Sequence, residues 1–219
     1  MLQGVLFDMD GLMFDTERIG RDGWHKAAET LHIDLPEEII AAMRGTGTDR
    51  CREIFNAAIP GGLYDTAHDL RLRYADEVIA ANGVPVKPGL RELLRWLKAA
   101  GIPAVLATST RREKALIYLQ QTDVERYFTA AVFGPEVARP KPAPDIFRAA
   151  AAAIRADPAH CVVLEDSPNG LQAAKAAGCP AIVVPDLTPA PAESEHLWNY
   201  RAKDLHEVQK ILLKEREKL

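Results

Sequence analysis

Asp8 and Asp10 stand two residues apart, directly after the apolar run Val5-Leu6-Phe7 and just before Gly11. The run suits a buried strand, and the glycine permits a sharp turn at its end. Two carboxylates where a buried strand stops are costly to hold together unless a cation or a hydrogen-bonding partner compensates them. In open α/β sheets the carboxyl ends of the strands are where ligands bind. The pair therefore suits a cation or a ligand at this edge, provided that later segments bring partners to it.

Three later stretches end apolar runs on polar residues. In Val105-Leu106-Ala107-Thr108-Ser109-Thr110 a strand gives way to three hydroxyls ahead of a helix. Such hydroxyls and the backbone N–H groups beside them can cradle an anion, or simply cap the helix. In Arg139-Pro140-Lys141-Pro142-Ala143-Pro144-Asp145-Ile146-Phe147 prolines stiffen the backbone on either side of Lys141. A lysine held in that way can neutralise carboxylate and phosphoryl charge together. The third stretch, Val162-Val163-Leu164-Glu165-Asp166-Ser167-Pro168-Asn169-Gly170, again places two carboxylates where a strand ends.

The elements that must hold these groups follow from periodicity. From about Thr16 to Ala81 the spacing is helical, with Trp24, Ala27, Ala28 and Leu31 recurring on one face. A turn at Leu35-Pro36 precedes a second helix, and Arg44-Gly45-Thr46-Gly47-Thr48 forms a loop before a third near Asp49. A fourth helix runs from about Tyr64 to Ala81, with Leu70, Tyr74 and Val78 on one face. Residues 82–89 read as a return linker. Beyond them helices (Leu90–Ala100, Arg111–Gln121, Asp145–Ile154, Asn169–Ala177, Leu205–Glu217) alternate with strands (Ile102–Ala107, Ala130–Phe133, Cys161–Leu164, Ala181–Val184). Leu187 to Glu195 reads as an exposed loop. The alternation predicts an α/β fold, a doubly wound, Rossmann-like parallel sheet covered on both faces. Residues 1–15 and 85–219 are expected to form that core, and residues 16–84 an inserted all-helical cap domain.

Composition narrows the function classes. The formal net charge of −4 and scattered Lys and Arg argue against a nucleic-acid partner. The run Lys214 to Lys218 alternates with Glu215 and Glu217 and reads as a solvated helix face. No apolar stretch approaches the ~20 residues of a membrane helix, and the first segment carries acids rather than a basic leader. Cys51, Cys161 and Cys179 lack a C-x-x-C pattern and read as reduced, partly buried thiols. A cytoplasmic location is expected, without a membrane partner. A monomer is the default, because the C-terminal helix has no long heptad pattern.

The string D-M-D-G-L-M-F-D-T-E resembles the first motif of the haloacid dehalogenase superfamily of phosphotransferases. The strand-end Thr108, Lys141 and the Glu165-Asp166 pair match that superfamily's remaining motifs in order, over essentially the whole chain. R-P-K-P-A-P-D-I-F and L-E-D-S-P-N-G resemble the subfamily of β-phosphoglucomutase and small sugar-phosphate phosphatases, which carries a helical cap after the first motif. The resemblance implies that Asp8 is a nucleophile forming an aspartyl-phosphate and that Asp10 is the general acid and then base. It implies that Thr108, the Ser109 backbone N–H and Lys141 bind the phosphoryl group. Asp8, the Asp10 carbonyl, Glu165 and Asp166 would hold Mg²⁺, with Asp166 direct and Glu165 able to act through water.

This sequence departs from the mutase branch inside the cap. Gly20 stands where that branch has a histidine, Trp24 matches its tryptophan, and its cap arginine falls near Thr48, with Arg50 the nearest candidate. A mutase must shield its phosphoenzyme from water, so these losses favour a phosphatase of small phosphorylated metabolites, sugar phosphates or nucleotide-like monophosphates. A hexose-phosphate mutase is the alternative, and a non-catalytic binding protein on the same fold is the second. Cap residues should set substrate choice, with Arg44, Thr46, Arg50, Arg71 and Arg73 as candidates. Glu17 is expected to be structural. The histidines His25, His32, His68, His160, His196 and His206 show no ligand spacing.

Overall fold

The computed structural model describes residues 1–187 and 192–215. In chain order its elements begin with strand β1 (Gly4–Phe7), followed by helices α1 (Thr16–Leu31), α2 (Glu37–Met43), α3 (Thr48–Ala58) and α4 (Tyr64–Asn82). Then come α5 (Leu90–Ala99), β2 (Ala104–Thr108), α6 (Arg112–Gln121), β3 (Phe128–Phe133), α7 (Asp145–Ala153) and β4 (Cys161–Glu165). The chain closes with α8 (Pro168–Ala177), β5 (Ala181–Val183), β6 (Tyr200–Arg201) and α9 (Leu205–Glu215). It divides into two compact units, Met1–Phe14 with Pro85–Leu219, and Asp15–Val84.

In the first unit six parallel strands lie in the order β3-β2-β1-β4-β5-β6. The chain builds outward from β1 to β3, then crosses to β4 on the other side of β1, which is the doubly wound arrangement expected. The order reverses between β1 and β4, so the ligand crevice of such a sheet falls beyond their carboxyl ends. Register aligns the edge: Phe7 lies beside Leu106 of β2 and Leu164 of β4. The residues that follow each strand therefore emerge together. Val5, Leu6 and Phe7 are fully buried, as are Val162, Val163 and Leu164. Leu6, Val105, Val163 and Val183 pack with Ile146, Phe147 and Leu171 in one core cluster, and Ala150 and Ala151 of α7 are also fully buried in it. Their short side chains let that helix lie close on the sheet.

Several boundaries differ from the sequence reading, and two elements differ in kind. The two-residue strand β6 has no periodicity to announce it and pairs with β5 through Ile182 and Val183. Of the expected loop at Leu187 to Glu195, residues 188–191 lie outside the described residues, and Ala192–Leu197 is a 3₁₀ turn. Ser194 there is buried. The C-terminal charge run is not all solvated either. Glu215 is buried and accepts a hydrogen bond from the Tyr200 hydroxyl at 3.3 Å, while residues 216–218 of that run lie outside the described residues. The three cysteines are free, as expected, and all are buried. No helix among the described residues is long and apolar enough to cross a membrane.

The second unit is helical throughout. Trp24 lies 5.8 Å from Phe55 and 6.2 Å from Tyr64, ring centre to ring centre, at the middle of its core. On α4 the buried residues are Tyr64, Ala67, Ala75 and Ile79, while Leu70, Tyr74 and Val78 are half-buried, Leu70 against the same core. Small residues win because α1 meets α4 through its own glycines. Arg71 lies across that seam: its Nε donates to the Gly20 carbonyl at 3.3 Å, and its guanidinium stands over the Trp24 ring. A Cβ on Gly23 would meet the Arg71 carbonyl oxygen at 2.9 Å, whereas one on Gly20 would meet the tip of the Arg71 side chain at 2.6 Å. Backbone cannot yield as a side chain can. Gly23→Ala is therefore expected to destabilise by about 1–3 kcal/mol despite better helix propensity, and Gly20→Ala by less. Urea denaturation midpoints of the two variants check this order.

Candidate active site

Asp8 follows β1 directly, and its backbone N–H donates to the Leu164 carbonyl of β4 at 3.1 Å. Its side chain is buried and accepts from Lys141 Nζ on Oδ1 at 2.5 Å. Lys141 comes from the proline-rich segment before α7, and its side chain is only 7% exposed. The same ammonium donates to Glu165 Oε1 at 2.7 Å and lies 4.9 Å from the centre of the Phe147 ring. One cation thus bridges the residue after β1 and the last residue of the adjacent β4. A buried ammonium is tolerable here because two carboxylates and an aromatic face replace its water.

Glu165 is fully buried, and both of its oxygens accept hydrogen bonds. While Oε1 receives Lys141, Oε2 accepts from the Asp166 N–H at 3.1 Å, the Ser167 N–H at 3.0 Å and the Ser167 hydroxyl at 2.9 Å. Ser167 in turn caps α8 by accepting from the Gly170 N–H at 3.1 Å. A Cβ on Gly170 would stand 1.7 Å from Glu165 Oε1, so the glycine is what makes room for that carboxylate. Neither Ser167 nor Gly170 was expected to matter. The S-x-x-G spacing after the acidic pair was the available signal, since a serine at that place caps a helix.

Asp8, Glu165 and Asp166 bring carboxylate oxygens within 4.8 Å of one another, the arrangement of a divalent-cation site among the described residues. An all-oxygen donor set fits a hard cation such as Mg²⁺. Asp166 is partly exposed at this edge, and Gly11 gives it space: a Cβ there would lie 2.1 Å from Asp166 Oδ2, and its φ of +81° suits glycine. Asp10 is not part of the carboxylate cluster. Its Oδ2 accepts from the Thr110 hydroxyl at 2.6 Å.

Thr108, the last residue of β2, is buried, and Ser109 is exposed beside it. The Thr108 hydroxyl oxygen accepts from the Thr110 N–H at 3.1 Å, which leaves its proton to be donated elsewhere. The structure therefore brings Asp8, Asp10, Thr108, Ser109, Lys141, Glu165 and Asp166 to the ends of β1, β2 and β4 within one unit. Arg44, Thr46, Arg50, Arg71 and Arg73 all lie in the helical unit. Arg44 is near Glu37 and Glu17, at 3.6 and 3.9 Å, and Thr46 donates to the Met43 carbonyl at 2.7 Å. Arg50 is exposed and pairs with Glu53 at 2.8 Å, Arg71 holds the α1–α4 seam, and Arg73 is exposed.

Burial dominates the electrostatics. It pushes the Asp8 carboxyl up to about 7; Lys141 pulls it back, and Glu165 and Asp10 add to the rise. Burial also disfavours the Lys141 charge, but Asp8 and Glu165 overcome this and hold its pKa above that of an ordinary lysine. The surroundings thus favour the charged form of Lys141 and, less strongly, the protonated form of Asp8.

Comparison with known proteins follows the same lines. A family model described as haloacid dehalogenase-like hydrolase matches residues 2–178. The phosphorylated carbohydrates phosphatase of Thermotoga maritima is 32% identical over 179 residues, covering 81% of this chain and 82% of that protein. The fructose-1-phosphate phosphatase of Escherichia coli is 30% identical over 184 residues, covering 83% and 95%. A crystal structure of a HAD family hydrolase from Deinococcus radiodurans with bound phosphate and sodium aligns with a TM-score of 0.80 at 26% identity. It covers 100% of this chain and 97% of its own.

Proposed function

The chain belongs to the haloacid dehalogenase-like hydrolase family, and on that premise we propose that it is a Mg²⁺-dependent phosphatase of small phosphorylated metabolites. The observation that carries the proposal is the Lys141 ammonium bridging Asp8 and Glu165 at the switch point of the sheet. It keeps a carboxylate nucleophile desolvated and in place without cancelling it. Asp8 attacks phosphorus as the bond to the leaving oxygen breaks, and Asp10 gives that oxygen its proton. Asp10 then takes a proton from the water that hydrolyses the aspartyl-phosphate. The Thr108 hydroxyl, the Ser109 N–H and Lys141 hold the phosphoryl oxygens in line, where positioning and charge neutralisation supply most of the rate. Asp8, Asp166 and the Asp10 carbonyl would hold Mg²⁺, which when bound offsets the charge of the phosphoryl group. Glu165, with four hydrogen bonds already on its two oxygens, supports Lys141 and would reach the metal through water.

The names of the phosphatases above support a sugar phosphate as substrate, with nucleotide-like monophosphates next. Gly20, packed under the Arg71 side chain, supports hydrolysis over mutase chemistry, since it offers no imidazole to the cap. The buried free thiols support a reducing, cytoplasmic setting. The test is phosphate release from a panel of sugar and nucleoside monophosphates, with Mg²⁺ and with EDTA. Metal-dependent release from a sugar phosphate, lost in EDTA, is expected. Conversion of glucose 1-phosphate into glucose 6-phosphate without release would replace the reading by a mutase. Tight binding without either reaction would replace it by a binding protein.

A further inference from the structure

We propose that Thr110 is a positioning residue that aims the Asp10 carboxyl at the leaving group, and that Asp10 delivers its proton from Oδ1. The inference rests on the phosphatase reading and extends it to a residue that no motif match singled out. Thr110 stands beyond β2, one hundred positions from Asp10 in sequence, yet its hydroxyl donates to Asp10 Oδ2 at 2.6 Å. That distance is at the short, strong end for a hydroxyl donating to a carboxylate. The residue is also tied at its backbone, where its N–H donates to the Thr108 hydroxyl oxygen at 3.1 Å. Its branched side chain has few rotamers to choose from. One threonine thus links the hydroxyl that would receive the phosphoryl group to the carboxyl that would protonate the departing oxygen.

The assignment of oxygens follows from the donor's direction. A threonine hydroxyl has one proton, and here it is given to Asp10 Oδ2. When Asp10 is the acid, Oδ2 is the carbonyl oxygen of that acid, and the transferable proton is on Oδ1. As the Asp8–phosphorus bond forms and the bond to the leaving oxygen breaks, the Oδ1 proton passes to that oxygen and Asp10 is left as the carboxylate. The charge then present on Asp10 is still met by the Thr110 hydroxyl. Loss of the hydroxyl leaves the acid in the site but lets its rotamer drift, and misplacement by about 1 Å can cost ~10²-fold.

Leaving-group dependence tests this. A sugar phosphate departs as an alkoxide and needs a proton, whereas 4-nitrophenyl phosphate departs as a stable phenolate and does not. The quantity compared is kcat/KM, which ends with departure of the alcohol and excludes the later hydrolysis step. Thr110→Val is expected to lower kcat/KM about 10–100-fold on the best sugar phosphate and less than about 3-fold on 4-nitrophenyl phosphate. Thr110→Ser, which keeps the hydroxyl, should restore the sugar phosphate rate to within about 3-fold. Should Thr110→Val fail to fold, Thr110→Ala is measured in the same pair of assays. Equal losses on both substrates would overturn the proposal and make Thr110 a structural residue, as would no loss on either. Asp8→Asn run in parallel separates the two levels: if it retains turnover, the nucleophile assignment falls, not the positioning of Asp10.

Discussion

Asp8→Asn is expected to remove phosphate release by about 10³–10⁶-fold while leaving a folded protein. The amide keeps the size of the side chain and a carbonyl oxygen for Lys141, so the geometry at the end of β1 survives. What it lacks is the nucleophilic oxygen. The measurement is turnover of the best sugar phosphate at saturating Mg²⁺. Retained turnover would mean that water, and not Asp8, attacks phosphorus. Stability should move in the opposite direction to activity. The Asp8 carboxyl titrates at about 7 in the fold against 3.8 for an ordinary aspartate, chiefly because it is buried. The fold therefore favours the protonated form, and that contribution is fully present below about 3.8 and lost as the pH rises through about 7. The variant has no such proton to lose. In EDTA its melting temperature should exceed that of the natural protein at pH 8, with the difference shrinking toward pH 5.5. A gap that widened on acidification would contradict the raised pKa.

Lys141→Met carries the second large effect, and here activity and stability fall together. The ammonium is the cation between Asp8 and Glu165, and Glu165 is fully buried. Removing one partner of a buried ion pair costs about 3–5 kcal/mol, because the remaining charge has no solvent to return to. Turnover should fall at least about 10³-fold, since the phosphoryl charge loses its fixed counter-charge as well. The variant also separates metal binding from catalysis. Without the ammonium the cluster of Asp8, Glu165 and Asp166 is more negative, so Mg²⁺ binding measured by calorimetry should be retained or tightened. If Mg²⁺ binding were lost along with activity, Lys141 would be acting through the metal site and not on phosphate. Lys141→Arg should not rescue, because a planar fork cannot replace a compact ammonium between two carboxylates.

The behaviour of both variants depends on groups that local sequence made visible to different degrees. Strands β1, β2 and β4 were legible because a strand buried on both faces must be a continuous apolar run, and Asp8, Thr108 and Glu165 mark where each run ends. The alternation of helix and strand carried the doubly wound class, and ordered motifs carried the family. Lys141 was legible through its flanking prolines. These are local patterns, and the chemistry of a carboxylate or an ammonium is local too.

Only the tertiary structure decided how those groups are partnered. Thr110 looked like one more capping hydroxyl, and its bond to Asp10 joins residues from two different strand ends. Residue type left open whether Glu165 meets a metal directly or through water, and it is the turn that starts α8 that surrounds one of its oxygens with three donors. On α4 complete burial falls on Ala67 and Ala75 and not on Leu70, Tyr74 and Val78, because periodicity ranks residues by hydrophobicity, whereas the close approach of α1 at Gly20 and Gly23, which face Arg71, favours small residues. Glu215 was misread because a charge run says nothing of the Tyr200 hydroxyl that meets it. Apolar periodicity and residue type are properties of the chain, and they carry the class of fold and the class of reaction. Hydrogen-bond partners and close packing are properties of segments far apart in the chain, and they exist only once the sheet has brought its strand ends together.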